Sequence, residues 1–243
     1  MTGNLIEIFS SAQGEGPYIG CRQVFVRFEG CNLRCRYCDT AHDVGSHAFC
    51  KAETLRSDEP ELSVANPVSV GDAAEHIQRL LEAAHHHSVS FTGGEPLLHA
   101  DFISAVAERI SARVFLETNG TLVNELNKVL PFVDIVSMDV KPPSAAGESL
   151  WLRHRAFLET ASVKDVYVKL VATADLTEDE VAETCQMVAD VRADIPLVLQ
   201  PVTPRGGCVP PRAEELLRMQ ERALRVLRDV RLIPQAHTMM GIR

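Results

Sequence analysis

Three cysteines, Cys31, Cys35 and Cys38, stand in one short run, Gly30-Cys31-Asn32-Leu33-Arg34-Cys35-Arg36-Tyr37-Cys38-Asp39-Thr40, a C-x3-C-x2-C spacing. Thiolates this close in sequence can converge on one metal centre, and thiolate donors suit zinc or an iron–sulfur cluster. The count is informative. A closed zinc site or a simple electron-transfer cluster takes four protein ligands. A zinc knuckle here would have to borrow a fourth, such as Cys21 or Cys50. A [4Fe-4S] cluster held by three cysteines leaves one iron open to a cofactor or substrate.

Other groups with chemical potential recur along the chain. Thr92-Gly93-Gly94-Glu95-Pro96 contains paired glycines, which let the backbone approach a ligand closely; alone they also suit a plain turn. Gln13-Gly14-Glu15-Gly16 offers an amide and a carboxylate that can read the donor–acceptor edge of a pterin or purine-like ring. Arg27 interrupts the apolar run Val24–Phe28, and its planar fork suits a carboxylate, although a salt-bridge arginine is the plainer alternative. Thr40 carries a hard oxygen that could serve Mg²⁺ or merely cap a helix. Gln235-Ala236-His237 follows the last apolar run.

The elements that must position these groups alternate between two periods. Apolar runs at Leu5–Ser10, Gln23–Glu29, Ser88–Thr92, Arg113–Glu117, Ile135–Asp139, Val166–Val171, Leu197–Gln200 and Val230–Ile233 read as strands. Val70–Ala84, Asp101–Ser111, Glu178–Asp190 and Pro211–Leu227 read as helices, with Thr177 an N-cap. Strand–helix alternation predicts an α/β fold with a parallel sheet, as a full or partial barrel. In such folds chemistry gathers at the C-terminal ends of strands, and the cysteine run, T-G-G-E-P, Thr118-Asn119-Gly120 and Lys141-Pro142-Pro143 all fall there. Residues His42–Asn66 fit neither period and read as an insertion that could cover the site, and His85–His87 reads as a solvated helix cap.

Composition narrows the class. The 243 residues, 46% hydrophobic, suit a single domain over 1–243. A net charge of −9 without a basic run argues against a nucleic-acid partner, while Arg22, Arg27, Arg34 and Arg36 could build a local anion pocket. No apolar stretch reaches the ~20 residues of a membrane span, so no membrane is expected. The first residues lack a charged n-region, and seven cysteines, an odd count, suit reduced thiols. A cytoplasmic setting is the expectation.

The cysteine run with Tyr37 before its last cysteine, followed by T-G-G-E-P, resembles the radical S-adenosylmethionine (SAM) superfamily. The wider set, Q-G-E-G at Gln13, F-V-R-x-x-G-C, C-D-T, T-G-G-E-P, E-T-N-G, Q-P and Q-x-H, resembles its 7-carboxy-7-deazaguanine synthase family over almost the whole chain. The resemblance implies a partial (β/α)6-type radical SAM barrel with an N-terminal strand extension and an insertion at 42–66. It implies a [4Fe-4S] cluster on Cys31, Cys35 and Cys38, with SAM bound to its open iron and cleaved to a 5′-deoxyadenosyl radical. SAM would be met by Tyr37, Asp39, Gly94 and Glu95, and by Ser137, Asp139, Lys141 and Gln200, where the family often has a short S-P-K. Ala12, Gln13, Gly14, Glu15, Arg27, Thr92, His237 and the terminal carboxylate of Arg243 would face 6-carboxy-5,6,7,8-tetrahydropterin, and Thr40 would ligate Mg²⁺. The implied reaction is a ring contraction with loss of ammonia, in queuosine and other 7-deazapurine biosynthesis. An electron donor such as flavodoxin or ferredoxin and a homodimer are implied too. Two other functions stay open at this point: an activase that makes a glycyl radical on a partner protein, and a non-catalytic Fe–S or zinc module.

Overall fold

The computed structural model describes residues 1–38, 45–54 and 61–243. In chain order its strands are β1 (Thr2–Gly3), β2 (Leu5–Ala12), β3 (Arg22–Phe28), β4 (Phe49–Ala52), β5 (Leu62–Ala65), β6 (Val68–Ser69), β7 (Ser88–Gly93), β8 (Val114–Thr118), β9 (Ile135–Val140), β10 (Asp165–Ala172), β11 (Leu197–Pro201) and β12 (Val230–Leu232). Its helices are α1 (Val70–Ala83), α2 (Ala100–Ala107), α3 (Val123–Val129), α4 (Pro143–Ala146), α5 (Trp151–Ala161), α6 (Glu178–Arg192), α7 (Ala213–Ala223) and α8 (Ala236–Met240).

β3, β7, β8, β9, β10, β11 and β12 lie side by side and parallel. β2 adds to β3 antiparallel, and β4 and β5 extend that edge. The outermost strands of this ten-stranded sheet, β5 and β12, do not pair with each other, so the barrel is partial. β1 and β6 form a separate short ribbon.

The two faces of the sheet differ because side chains alternate along a strand. One face is apolar throughout. Val24, Val26, Phe28, Val89, Phe91, Leu116, Val136, Met138, Val168, Leu170, Leu197 and Leu199 pack there against the helices in the main core. On the other face the chemistry changes along each strand. Phe115, Ile135, Tyr167 and Val198 form a small apolar cluster. Two residues further on stand Glu117, Ser137, Lys169 and Gln200, paired in the sheet as Glu117 with Ser137 and Asp139 with Lys169. Tyr18, on the turn Gly16–Tyr18, lies edge-on to Phe115 at 5.6 Å between ring centres and donates its hydroxyl to Asp165. An aromatic floor thus underlies a polar cavity.

The helices follow their capping chemistry. Ser69 caps α1 by accepting from the Asp72 N–H at 3.1 Å. Thr177 and Glu180 form a reciprocal capping box on α6, as the sequence suggests. Glu180 also accepts from the Ser144 N–H at 2.7 Å, which ties α4 to α6.

Two sequence expectations are corrected, and a helix outside them, α5, is added. The stretch 42–66 is not devoid of regular structure: its described parts include β4 and β5, and β5 is mostly exposed. These short strands owe their form to pairing, β4 with β2 and β5 with β4, rather than to a pattern of their own. The helix α5 was hidden because its buried face, His154, Phe157, Leu158 and Ala161, includes a histidine that reads as polar. His85–His87 is not a solvated cap, since α1 ends at Ala83 and the buried His86 ring sits between Ser10 Oγ and Ala84 O, 2.7 Å from each.

Phe91 is fully buried in the main core. Phe91→Ala is expected to cost about 3–5 kcal/mol through lost burial and the cavity left behind. Urea unfolding measures it, and a loss under about 1 kcal/mol would show that the core refills the space.

Candidate active site

The cysteine run begins where β3 ends. Glu29, fully buried, accepts N–H bonds from Gly45 and His47, both at 2.7 Å, and so anchors the chain on the far side of the run. The Gly30 carbonyl accepts from the Glu95 N–H at 2.8 Å, and Phe28 O accepts from Gly94 N at 3.1 Å. A β-carbon on Gly94 would overlap the Gly30 carbonyl, so the paired glycines serve as the joint between the β7 loop and the cysteine loop. Cys38 N–H closes a turn onto Cys35 O at 3.2 Å.

Cys31, Cys35 and Cys38 all line one cavity of about 550 Å³. Burial raises the Cys31 thiol and pushes Cys35 up to about 11, so both are protonated unless a metal displaces the proton. Cys31 Sγ accepts from Leu33 N–H at 3.4 Å and from Asn119 Nδ2 at 3.8 Å, the polarised N–H groups an iron–sulfur ligand uses. Among the described residues no three His, Cys, Asp or Glu side chains close on a point that one ion could occupy. Cys21 and Cys50, the fourth ligands a zinc knuckle would borrow, do not line this cavity. Three thiols around an open cavity fit a cluster with one free iron.

Next to the thiols lies the cofactor-sized half of the cavity. Lys141 Nζ pairs with Asp139 Oδ2 at 2.9 Å and sits 5.0 Å from the centre of the Tyr37 ring. Burial works against the Lys141 ammonium, but Asp139 together with Tyr37 and Cys35 offsets it and keeps it charged. Burial raises the Tyr37 hydroxyl. Asp139 Oδ1 and Gln200 Oε1 are buried acceptors with no hydrogen-bond partner, an unusual state that a bound ligand with donor groups would relieve.

The other half is a clamp. Gln13 Nε2 donates to Glu117 Oε1 at 2.8 Å, and Thr92 donates to Glu117 Oε2 at 2.6 Å. Glu15 pairs with Lys169 and accepts from Gln235 Nε2 at 2.7 Å. Burial alone would raise the Glu15 carboxyl; Lys169 overcomes it and brings it down to about 2. His237 occupies the space a side chain at Gly14 would fill. Arg27 and Arg243 both stand near the Phe9 ring, 5.7 and 5.2 Å from its centre, and share Glu7 as counterion at 2.8 and 3.2 Å. The Arg243 carbonyl accepts from Ser11 Oγ at 2.8 Å.

The cavity gathers Ala12, Gln13, Gly14, Glu15, Arg27, the three cysteines, Tyr37, Thr92, Gly94, Ser137, Asp139, Lys141, Gln200, His237 and Arg243. Glu95 stands behind the wall instead. Its fully buried carboxylate accepts from Leu97 N, Thr118 Oγ1 and Asn119 N, at 3.1, 2.8 and 2.8 Å, and burial pushes it up to about 7 despite those donors. Asp39 and Thr40 lie outside the described residues. Lys169 and Glu117 line the cavity without having been singled out. A lysine inside the apolar run Val166–Val171 was the available signal, the same one that marked Arg27.

A partial parallel barrel with three cysteines at its cavity defines a radical SAM protein, and residues 25–190 match the radical SAM superfamily. The chain is 41% identical to the 7-carboxy-7-deazaguanine synthase of Geobacter sulfurreducens, over 98% of this chain and 96% of that one. It is 36% identical to the synthase of Archaeoglobus fulgidus over 100% of both. Its fold matches the crystal structure of QueE from Escherichia coli with a TM-score of 0.60 at 19% identity, covering 98% of this chain and 95% of the other. The chain belongs to the 7-carboxy-7-deazaguanine synthase family.

Two expectations follow from this geometry. Gly94→Ala must push the β7 loop off Gly30, and a loss of about 10-fold or more in iron affinity on reconstitution is expected; retention equal to wild type would show that the joint yields. The depressed Glu15 carboxyl contributes stability that is present above its unfolded value near ~4.3 and lost as pH falls through about 2. Glu15→Gln should therefore cost about 3 kcal/mol near neutrality, with the gap closing toward pH ~2. Urea curves taken across that range decide, and a constant gap would remove Glu15 as the titrating group.

Proposed function

We propose that this chain is a radical SAM lyase that forms 7-carboxy-7-deazaguanine from 6-carboxy-5,6,7,8-tetrahydropterin with loss of ammonia. The observation that carries the reading is the joint cavity: three thiols at one side, and Gln13, Glu15, Arg27, Thr92 and His237 at the other. A [4Fe-4S] cluster on Cys31, Cys35 and Cys38, loaded with SAM and reduced by an electron donor, supplies the radical initiation.

The protein's own groups bind, orient and exclude. Asp139 and Gln200 offer free acceptors to the cofactor's hydroxyl and amino hydrogens, with Ser137, Lys141 and Tyr37 beside them. Arg27 exchanges Glu7 for the substrate carboxylate, a bidentate match that a lysine would not make. The Gln13 amide oxygen and the Glu15 carboxylate offer acceptors to the N–H groups of the pterin ring, and His237 packs against Gly14 beside them. The aromatic floor under Glu117 and Lys169 keeps water from that end of the cavity.

The reading extends to Mg²⁺ on Thr40, a flavodoxin or ferredoxin as reductant and a homodimer, each taken from the family resemblance, and to a cytoplasmic setting, taken from the sequence itself. All seven cysteines are free, in keeping with a reducing compartment. Among the described residues no helix is long and apolar enough to cross a membrane.

The test is direct. Reconstituted protein is incubated anaerobically with SAM, a reductant and the carboxypterin, and the products are read by mass spectrometry. A deazapurine carboxylate is expected, and its absence from a protein with a full cluster would sink the assignment. Arg27→Ala should keep the cluster and raise the pterin KM by about 10-fold or more, the loss of one charged hydrogen-bonded contact; an unchanged KM would take Arg27 out of the substrate site.

A further inference from the structure

The Asn119-Gly120 pair that follows β8 has no task in the chemistry above, yet every polar group of Asn119 is engaged. Its backbone N–H donates to Glu95 Oε2 at 2.8 Å, and its carbonyl faces His154 Nε2 at 3.1 Å. Its Oδ1 accepts from Thr121 Oγ1 at 2.6 Å. The two hydrogens of Nδ2 then have two acceptors, Asn32 Oδ1 at 2.8 Å and Cys31 Sγ at 3.8 Å. Asn32 spends its own Nδ2 on Thr121 at 2.9 Å, so rotating the Asn119 amide would set two carbonyl oxygens against each other. The residue is buried, and Gly120 at φ +68 lets the chain turn immediately after it. Glu95 and His154, neither of which lines the cavity, act on this one backbone unit from its two sides.

We infer that Asn119 is a positioning residue for the cluster, whose side-chain N–H, donated to the Cys31 sulfur, raises the cluster's reduction potential. This rests on the cluster assigned to the three cysteines. An N–H directed at a ligand sulfur withdraws electron density and stabilises the reduced state, and hydrogen bonds to sulfur are a recognised control of such potentials. Leu33 N–H supplies a second donor to the same sulfur. Cys31 is thereby held in place by both the cysteine loop and the β8 loop.

Reconstituted wild type, Asn119→Ala and Asn127→Ala are titrated electrochemically, with the reduced cluster read by EPR and iron and sulfide counted in parallel. Asn119→Ala is expected to keep its cluster and titrate lower, with about tenfold less reduced cluster at a fixed poise, about 59 mV for a one-electron couple. Asn127, exposed on α3 and bonded to Val123 O, touches none of this network, and Asn127→Ala should titrate with wild type. An unchanged potential in Asn119→Ala, or an equal shift in Asn127→Ala, overturns the inference. Should Asn119→Ala fail to hold iron, wild-type protein carrying nitrogen-15 in its asparagine side-chain amides decides. A nitrogen-15 hyperfine coupling to the reduced cluster supports the bond, and its absence overturns it. Wild type lacking iron and sulfide after reconstitution would overturn the cluster assignment and this inference together, and the metal count tells that failure apart from the others.

Discussion

Lys169 is an ammonium buried between two carboxylates, and the cavity depends on that arrangement. Its Nζ pairs with Glu15 and lies 3.1 Å from Asp139 Oδ2, which in turn holds Lys141. A buried charge is tolerated only when paired and hydrogen-bonded. Here four charges alternate in sign from the loop after β2, through β10, to the end of β9. Glu15 lines one part of the cavity and Asp139 the part beside Lys141 and Tyr37, so one cation fixes the distance between the two. Neither half could be rebuilt alone without stranding a charge in the other.

The joint at Gly94 does for the backbone what Lys169 does for charge. Two strand ends, from β3 and β7, approach until carbonyl and α-carbon touch, and the only side chain that permits this is none at all. The cysteine loop therefore has no freedom to drift relative to the sheet. Its opposite flank is secured by Glu29, and Arg36 N–H reaches the Ala145 carbonyl at 3.3 Å. Ligand geometry is set by contacts that never meet the ligand.

Most of the parallel sheet was legible because its strands are buried on one face throughout and end in polar residues, a contrast that composition alone reveals. The eight apolar runs all became strands, with ends shifted by a residue or two. β4 and β5 were not legible, since an edge strand half in water carries no such contrast. The cavity was legible in its residue types at strand ends but not in side-chain direction. Glu95 illustrates the difference: its place in the loop is beside the cavity, while its carboxylate turns away to Thr118 and Asn119. Lys169 shows the converse, a charged residue inside an apolar run that spacing marks but does not explain.

Because β2 joins the parallel sheet antiparallel, the turn that follows it lies against the segment after β12. Glu15 bonds Gln235 across 220 positions of sequence, and Ser11 bonds Arg243 across 232. Contacts of such span form late, because the intervening chain must first be ordered. The wall of the cavity built by the turn after β2 is therefore complete only when the segment after β12 has packed against it. A partly folded chain can hold its three thiols and most of its sheet while that side of the cavity still stands open to water.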